Sequence, residues 1–389
     1  MITREEIRHL AQIQSPFGCA ISFYFQPQAP QDKSHREEVI LVKDLVRESL
    51  RKAERQGNHH TLREDLNKIL QIAEQLHGNH SRGKAIFACT EHGIWRELDV
   101  PPRLGKSLVT VNSRFHLKPL VAAHSGCCRA CVALVNREKA RFFELHEDEI
   151  KQLPDLYFGE LPHIGRSDGF GGYDAGHRER HVENETMHHF KQFAESLQAL
   201  MNRDHFETLL IGCHDEAWPE LEQHLHPYVR QRLSGRFLID PVMASPEQVR
   251  EHAGRILAES ILSQQQGLIR EVIGEAQRNA RGALGLRHVL TALERQEVQA
   301  VVVSQDFAAE AVECANCRHL DTRMVRNCAI CGGETHALAD ISDALVDMAL
   351  RNGAEITFIK RDPDLEKAGH IGALLRYRAD QNTPQKVAV

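Results

Sequence analysis

A chain of 389 residues is too long for one ordinary hydrophobic core, so two or three domains are expected, and 42% hydrophobic residues make them globular. The net charge of -6, with 24 histidines taken as neutral, supplies no basic field; this argues against tight binding to naked nucleic acid, DNA included, and confines any RNA contact to local or shape-driven recognition. The start, Met1-Ile2-Thr3-Arg4-Glu5-Glu6, lacks an apolar signal region and no apolar run reaches the roughly 18 residues of a membrane span, so a cytoplasmic protein with ten reduced cysteines is expected.

Residues 1–125 read as a small α/β domain. A short helix precedes an apolar strand at Cys19 to Phe25. A helix from about Arg36 to Arg55 turns Val39, Val42, Leu45, Val46 and Leu50 inward. A second begins at the capping box Thr61/Glu64, buries Leu62, Leu66, Ile69, Leu70, Ala73 and Leu76, and ends at Gly78. Strands at Lys84 to Cys89 and Ile94 to Val100 complete it. The basic turn from Asn79 to Lys84 is short enough to read as a solvated turn.

The middle domain, residues 126–244, opens on a β-hairpin, Cys131 to Val135 and Ala140 to Leu145. From Leu161 to His177 five glycines and the loss of periodicity predict a long loop, a feature that is uncommon inside a compact domain unless it is functional or disordered. A helix capped near Asn184 follows, with Met187, Phe190, Phe193, Ala194, Leu197 and Met201 on one face. Strand Thr208 to Cys213, a helix from about Pro219 to Arg232 and a strand Phe237 to Ile239 give an alternating, mixed-sheet α/β layer.

The C-terminal domain, residues 245–389, starts at Ser245-Pro246-Glu247 with proline at the first helical position. Helical stretches to Glu297, broken at Gly267 and Gly282, lead to Ala300 to Ser304, an apolar run suited to a buried parallel strand. Helix Ile341 to Arg351, strand Glu355 to Ile359 and the apolar stretch Ile371 to Tyr377 finish an αβα sandwich. Its insert, about residues 313–334, holds Cys314, Cys317, Cys328 and Cys331 as C-x2-C-x10-C-x2-C, the ligand spacing of a zinc ribbon. Only Leu320, Met324, Val325 and Ile330 are larger apolar side chains between the turns, so one structural Zn2+ is expected to supply the folding free energy. Four thiolates leave no open position for catalysis; the bland alternative is four unliganded thiols. The fold class is thus α/β in three domains, the last carrying an inserted zinc ribbon.

Two other constellations carry less chemistry. His177-Arg-Glu-Arg-His181 spaces two histidines four apart, but a metallohydrolase glutamate follows the first histidine directly, whereas Glu179 stands two on and points to roughly the opposite side of the helix. With His163, His188 and His189 the cluster reads as a polar helix start, with adventitious metal or phosphate binding as the other reading. Cys128 and Cys131, beside Cys127, form a single C-x-x-C and read as small buried hydrophobes. Walker loop, dinucleotide fingerprint, nucleophile elbow and kinase motifs are all missing from the sequence.

Taken in order, these parts resemble the class-1 translation release factors of eukaryotes and archaea and their ribosome-rescue relative Pelota, above all the bacterial offshoots of that superfamily. The hairpin Cys131 to Leu145, the loop holding Gly171-Gly172, the long amphipathic helix and strand Thr208 to Cys213 are similar to the middle domain that carries the Gly-Gly-Gln loop. Val301-Val302-Val303-Ser304, the four cysteines, Gly353-Ala354-Glu355-Ile356 and Gly369 to Tyr377 resemble the C-terminal domain, whose αβα fold is shared with kink-turn-binding ribosomal proteins. Gly172 to His181 is similar to bacterial members.

The resemblance implies a cytoplasmic ribosome-binding factor acting in the A site at the peptidyl-transferase centre of large-subunit RNA, with a translational GTPase as a further partner. Gly171, Gly172 and Tyr173 would form the loop that acts there. Paired glycines allow a tight turn, and the next N–H can stabilise an oxyanion. Tyr173 stands where the family has glutamine, so hydrolysis of peptidyl-tRNA, cleavage of tRNA and purely steric occupation, as in Pelota, all stay open. Neither the Asn-Ile-Lys-Ser tetrapeptide nor the Tyr-x-Cys motif of stop-codon reading is found, which favours rescue of stalled ribosomes over ordinary termination. The alternatives are a non-ribosomal RNA- or protein-binding regulator and a histidine-dependent metallohydrolase.

Overall fold

The computed structural model describes residues 4–15, 18–25, 35–56, 60–75, 83–100, 107–125, 129–137, 139–146, 149–153 and 175–378. They fall into two compact units, Met1–Gly126 with Gln265–Val389, and Cys127–Gln264.

In the first unit, helix α1 (Arg4–Gln12) precedes β1 (Ala20–Phe25), α2 (His35–Gln56), α3 (His60–Gln75), β2 (Gly83–Cys89), β3 (Ile94–Val100), β4 (Leu108–Asn112) and α4 (Lys118–His124). The sheet is antiparallel with order β3-β2-β1-β4. Alternation along β1 sorts its side chains. Ile21, Phe23 and Phe25 face Val42, Val46, Leu66 and Ile69 of α2 and α3. Ala20 and Tyr24 join a different cluster, discussed below. Strand β4 and helix α4 lack a sequence signal: β4 is only partly buried along its length, and α4 spans two turns.

The second unit contains β5 (Arg129–Val135), β6 (Ala140–His146), β7 (Glu149–Gln152), α5 (Ala175–Asp204), β8 (Thr208–Gly212), α6 (Trp218–His224), α7 (Pro227–Arg230), β9 (Leu233–Phe237) and the first part of α8 (Pro246–Gln277). Its sheet runs β7-β6-β5-β8-β9, with β5, β8 and β9 parallel. Both faces are covered, which is why β5 reads as an unbroken apolar run. Cys131, Ala133 and Val135 pack with Phe190, Phe193 and Leu197 of α5, whereas Ala130, Val132 and Leu134 pack with Val249, Ala253 and Leu257 of α8.

Several expectations are corrected here. The helix expected from Pro219 to Arg232 is two helices, because Pro227 disfavours a helical residue before it and His226 is extended at φ -61, ψ 140. The strand expected at Phe237 to Ile239 ends at Phe237 and starts at Leu233. Helix α5 begins at Ala175, nine residues before the expected cap at Asn184, so Ala175, Gly176 and His177 have helical backbone. Met187, expected inward, is 46% exposed, while Thr186 and His189 are buried.

The remainder of the first unit comprises the end of α8, β10 (Gly282–Leu284), α9 (Leu286–Glu294), β11 (Val298–Ser304), β12 (Ala311–Cys314), β13 (Leu320–Asp321), β14 (Thr335–Leu338), α10 (Ser342–Arg351), β15 (Glu355–Ile359), α11 (Pro363–Lys367) and β16 (Ile371–Leu375). A mixed sheet of order β10-β16-β11-β15 lies between α9 and α10 on the side of Val301 and Val303, and α8 and α11 on the side of Ala300 and Val302. This is a three-layer αβα arrangement, with β11 parallel to β15 and antiparallel to β16. Gly267 does not break α8. An isolated glycine costs a helix only about 1 kcal/mol, which packing outweighs.

One apolar cluster spans both halves of this unit. Tyr24, Phe87, Phe115 and Leu120 share it with Val301, Leu345, Val346 and Ile371. Tyr24 also donates its hydroxyl to the His116 carbonyl at 2.6 Å. Polar links reinforce it: His116 Nδ1 is 2.6 Å from Asp343 Oδ2, and Lys118 Nζ donates to the Phe307 carbonyl at 2.9 Å.

Candidate functional site

The four cysteines lie at the tips of two similar turns. Cys314 ends β12, and the turn Cys314 to Cys317 closes where Arg318 N–H donates to the Cys314 carbonyl at 3.0 Å. In the other turn Gly332 N–H donates to the Cys328 carbonyl, also at 3.0 Å. Each closing residue needs left-handed backbone: Arg318 has φ 61 and Gly332 φ 73. Strands β13, β12 and β14 form a small antiparallel sheet beneath them.

The sulfurs converge. Cys314 Sγ is 3.4 Å from Cys331 Sγ, Cys317 Sγ is 3.5 Å from Cys328 Sγ, and all four lie within 4.8 Å of one another. An ion about 2.3 Å from each of four tetrahedral thiolates sets them roughly 3.8 Å apart, so the cluster fits one ion with every position filled. Backbone N–H groups of Asn316 and Ile330 point at Cys314 and Cys328 Sγ, both at 3.4 Å. The Cys317 N–H holds the Cys314 thiol below its ordinary range, and the Gly333 N–H, aided by the Cys314 and Cys317 thiols, pulls Cys331 down to about 6. Both are driven toward the thiolate form that metal requires. Of the apolar side chains in the insert, Leu320 is buried, but Met324 and Ile330 are 59% and 70% exposed, so the module has almost no core of its own.

Sequence reasoning missed the charged support of this module. Glu313, next to Cys314, is buried, pairs with Arg114 and lies 3.3 Å from His336. Arg114 also reaches Asp347 at 3.7 Å, which Arg351 holds at 2.9 Å. Charged residues 199 positions apart, as Arg114 and Glu313 are, have no linear signature. Gly333 was missed as well: a Cβ there would lie 3.2 Å from Asn316 Cβ and 3.4 Å from Cys331 Sγ.

Gly171, Gly172, Tyr173 and His163 lie outside the described residues, as do Cys127 and Cys128 and the turn residues 79–82. His177 and His181 lie in α5. His188 and His189 diverge, His188 to solvent and His189 into the core, 4% exposed, against Phe190. Cys131 is fully buried and burial pushes its thiol far up, in keeping with a packing role. Cys89, Glu91 and His92 also place ligand atoms within 4.8 Å of one another. There Glu91 accepts from Ser15, and His92 Nε2 lies 2.6 Å from the Gln14 carbonyl.

Residues 116–258 match the model of the bacterial archaeo-eukaryotic release factor family 10. No curated protein matches the chain. Among solved structures, an archaeal translation termination factor, aRF1, is 15% identical over 97% of this chain and 99% of its own, with a TM-score of 0.25. Pelota from Archaeoglobus fulgidus is 13% identical over 97% and 93%, with a TM-score of 0.37. The archaeal Pelota in a model of ribosome-bound Pelota and ABCE1 is 14% identical over 97% and 94%, with a TM-score of 0.43.

Proposed function

We propose that this chain, which belongs to the archaeo-eukaryotic release-factor superfamily through residues 116–258, acts as a release- or rescue-type factor on stalled or terminating ribosomes. The observation that carries the reading is the match itself, because it covers the hairpin, α5 and the parallel strands that flank the glycine-bearing segment. In this proposal the domains divide at residues 1–125, 126–244 and 245–389, and Gly171, Gly172 and Tyr173 enter the peptidyl-transferase centre. There they act either by presenting a backbone N–H to a developing oxyanion or by occupying the tRNA position. A translational GTPase is the proposed delivery partner.

Zinc is the proposed ion for Cys314, Cys317, Cys328 and Cys331. Bound there, it would contribute folding free energy to a module with little apolar core. Neither proposed role asks the ion to take part in chemistry.

The test is sedimentation of tagged protein with stalled ribosomes at low salt, where phosphate contacts are strongest. Comigration is expected; its absence sinks the proposal. Release of nascent chain, lost on Gly172→Pro, supports the hydrolytic version, whereas comigration without any product supports the steric one. Cross-linking in cells should recover ribosomal RNA; enrichment of small structured RNAs instead would point to a regulator away from ribosomes.

A further inference from the structure

We infer that the cleft at the carboxyl ends of β8 and β9 binds a nucleotide, as a base, a ribose and one phosphate. The inference is independent of the ribosomal reading. Strands β5, β8 and β9 run parallel, so their carboxyl ends lie along one edge of the sheet, where the residues after β8 and β9 wall a cleft. A cavity of about 510 Å³ opens there, walled by residues following β8, by the end of β9 and by one face of α8. That volume is within the range of small-molecule sites, roughly 300–1,000 Å³.

Its lining supplies three kinds of group. A flat surface comes from the half-buried His252 ring, backed by the buried Phe237 ring that lies parallel to it with centroids 6.0 Å apart, and apolar surface comes from Leu238, 60% exposed. A base stacks on such a surface without regard to sequence. Cationic groups come from two arginines. The Arg236 guanidinium is held 4.4 Å over the Trp218 ring, and Arg255 is exposed on α8 with no ion-pair partner among the described residues. Planar guanidiniums match phosphate oxygens. The third kind is acidic: Asp215, 3.7 Å from Arg236, and Glu259, one helical turn beyond Arg255. Ionised carboxylates only accept, so they suit the vicinal hydroxyls of a ribose and disfavour a bare anion. Phosphate alone would leave the stack unused and face both carboxylates.

The experiment uses the full chain. The protein has two tryptophans, so W95F leaves Trp218 as the reporter beside the cleft. Titration with AMP, GMP, CMP and UMP, with inorganic phosphate and with single-stranded RNA trinucleotides is followed by Trp218 fluorescence and by calorimetry. A saturable response to nucleotides is expected, with inorganic phosphate at least tenfold weaker. R255A, at an exposed helix position, should weaken nucleotide binding at least tenfold without changing Tm, and H252A should weaken it through the stack. Binding of trinucleotides as well as mononucleotides assigns the site to RNA; binding of mononucleotides alone assigns it to free nucleotide. The inference is overturned by no saturable binding at millimolar concentration, by phosphate binding as tightly as nucleotides, or by affinities that R255A and H252A leave unchanged.

Discussion

Arg114 donates to Glu313 across 199 residues of sequence, and their side chains are only 12% and 4% exposed. The pair joins the segment after β4 to the residue preceding the first cysteine. Removing one partner strands a buried charge, which typically costs about 3–5 kcal/mol, whereas removing both does not. Arg114→Ala should therefore lower the urea midpoint sharply, and Arg114→Ala/Glu313→Gln should be less destabilised than the sum of the single variants. Strict additivity would show that the two charges do not interact.

Metal content offers an independent check on the cysteine module. One zinc per chain is expected by elemental analysis, lost in Cys314→Ser or Cys328→Ser, both of which remove a buried ligand. With so little apolar core, the metal-free insert should open to trypsin at Arg318, Arg323 and Arg326. The sign with pH follows from the competition of protons with the ion for the thiolates, of which Cys331, at about 6, is already ionised at neutral pH. Retention of the ion should therefore hold at neutral pH and weaken on acidification. A chain that folds fully in chelator, with the same proteolysis pattern, would remove the role given to the ion.

What the sequence made legible was local. The doubled C-x2-C announces a converging cluster because each pair is fixed by one short turn, and the apolar runs of β2, β5 and β11 announce strands whose faces are covered. The joint core of Tyr24, Phe87, Leu345 and Ile371 was not legible, since it is assembled from segments some 300 residues apart. Nor was the cleft around His252, Arg255 and Arg236, whose residues sit at strand ends and on a helix with no common spacing. Proline and glycine were under- and over-read in turn: Pro227 splits a helix that periodicity alone continued, and Gly267 leaves one intact that composition alone divided. The glycine loop that carries the family resemblance lies outside the described residues, so its role rests on the proposal.

His189 provides a pH signature of the α5 core. Burial holds its pKa below the ordinary 6.5, opposed by hydrogen bonds to the backbone of Asn136 and Lys139. The folded state therefore favours the neutral ring, while the unfolded chain binds a proton near 6.5. Stability should rise with pH through the window below 6.5 and be lost as the solution is acidified. His189→Gln removes that titration, so its urea midpoint should fall less than the wild type's between pH 7 and pH 5. Parallel pH profiles would mean that His189 is not held neutral.

Two glycines of the C-terminal half should respond to alanine with opposite signs. At Gly282 a Cβ would lie 2.2 Å from Ala276 N and 2.4 Å from the Val272 carbonyl oxygen. Both are backbone atoms of α8, which cannot swing aside as a flexible side chain can. The helix would have to move away from β10, and with it Val272, whose methyl lies 2.8 Å from the Cβ position of Gly372 on β16. Overpacking of this kind costs about 1–3 kcal/mol, and more where only backbone can yield. Gly267 is the counterpart: it sits inside α8 with nothing within 4 Å of its Cβ position, so alanine there should stabilise by about 0.5–1 kcal/mol through helix propensity. Thermal melts of Gly282→Ala and Gly267→Ala should thus move in opposite directions from the wild type. A Gly282→Ala protein as stable as the wild type would contradict the close approach of α8 to β10.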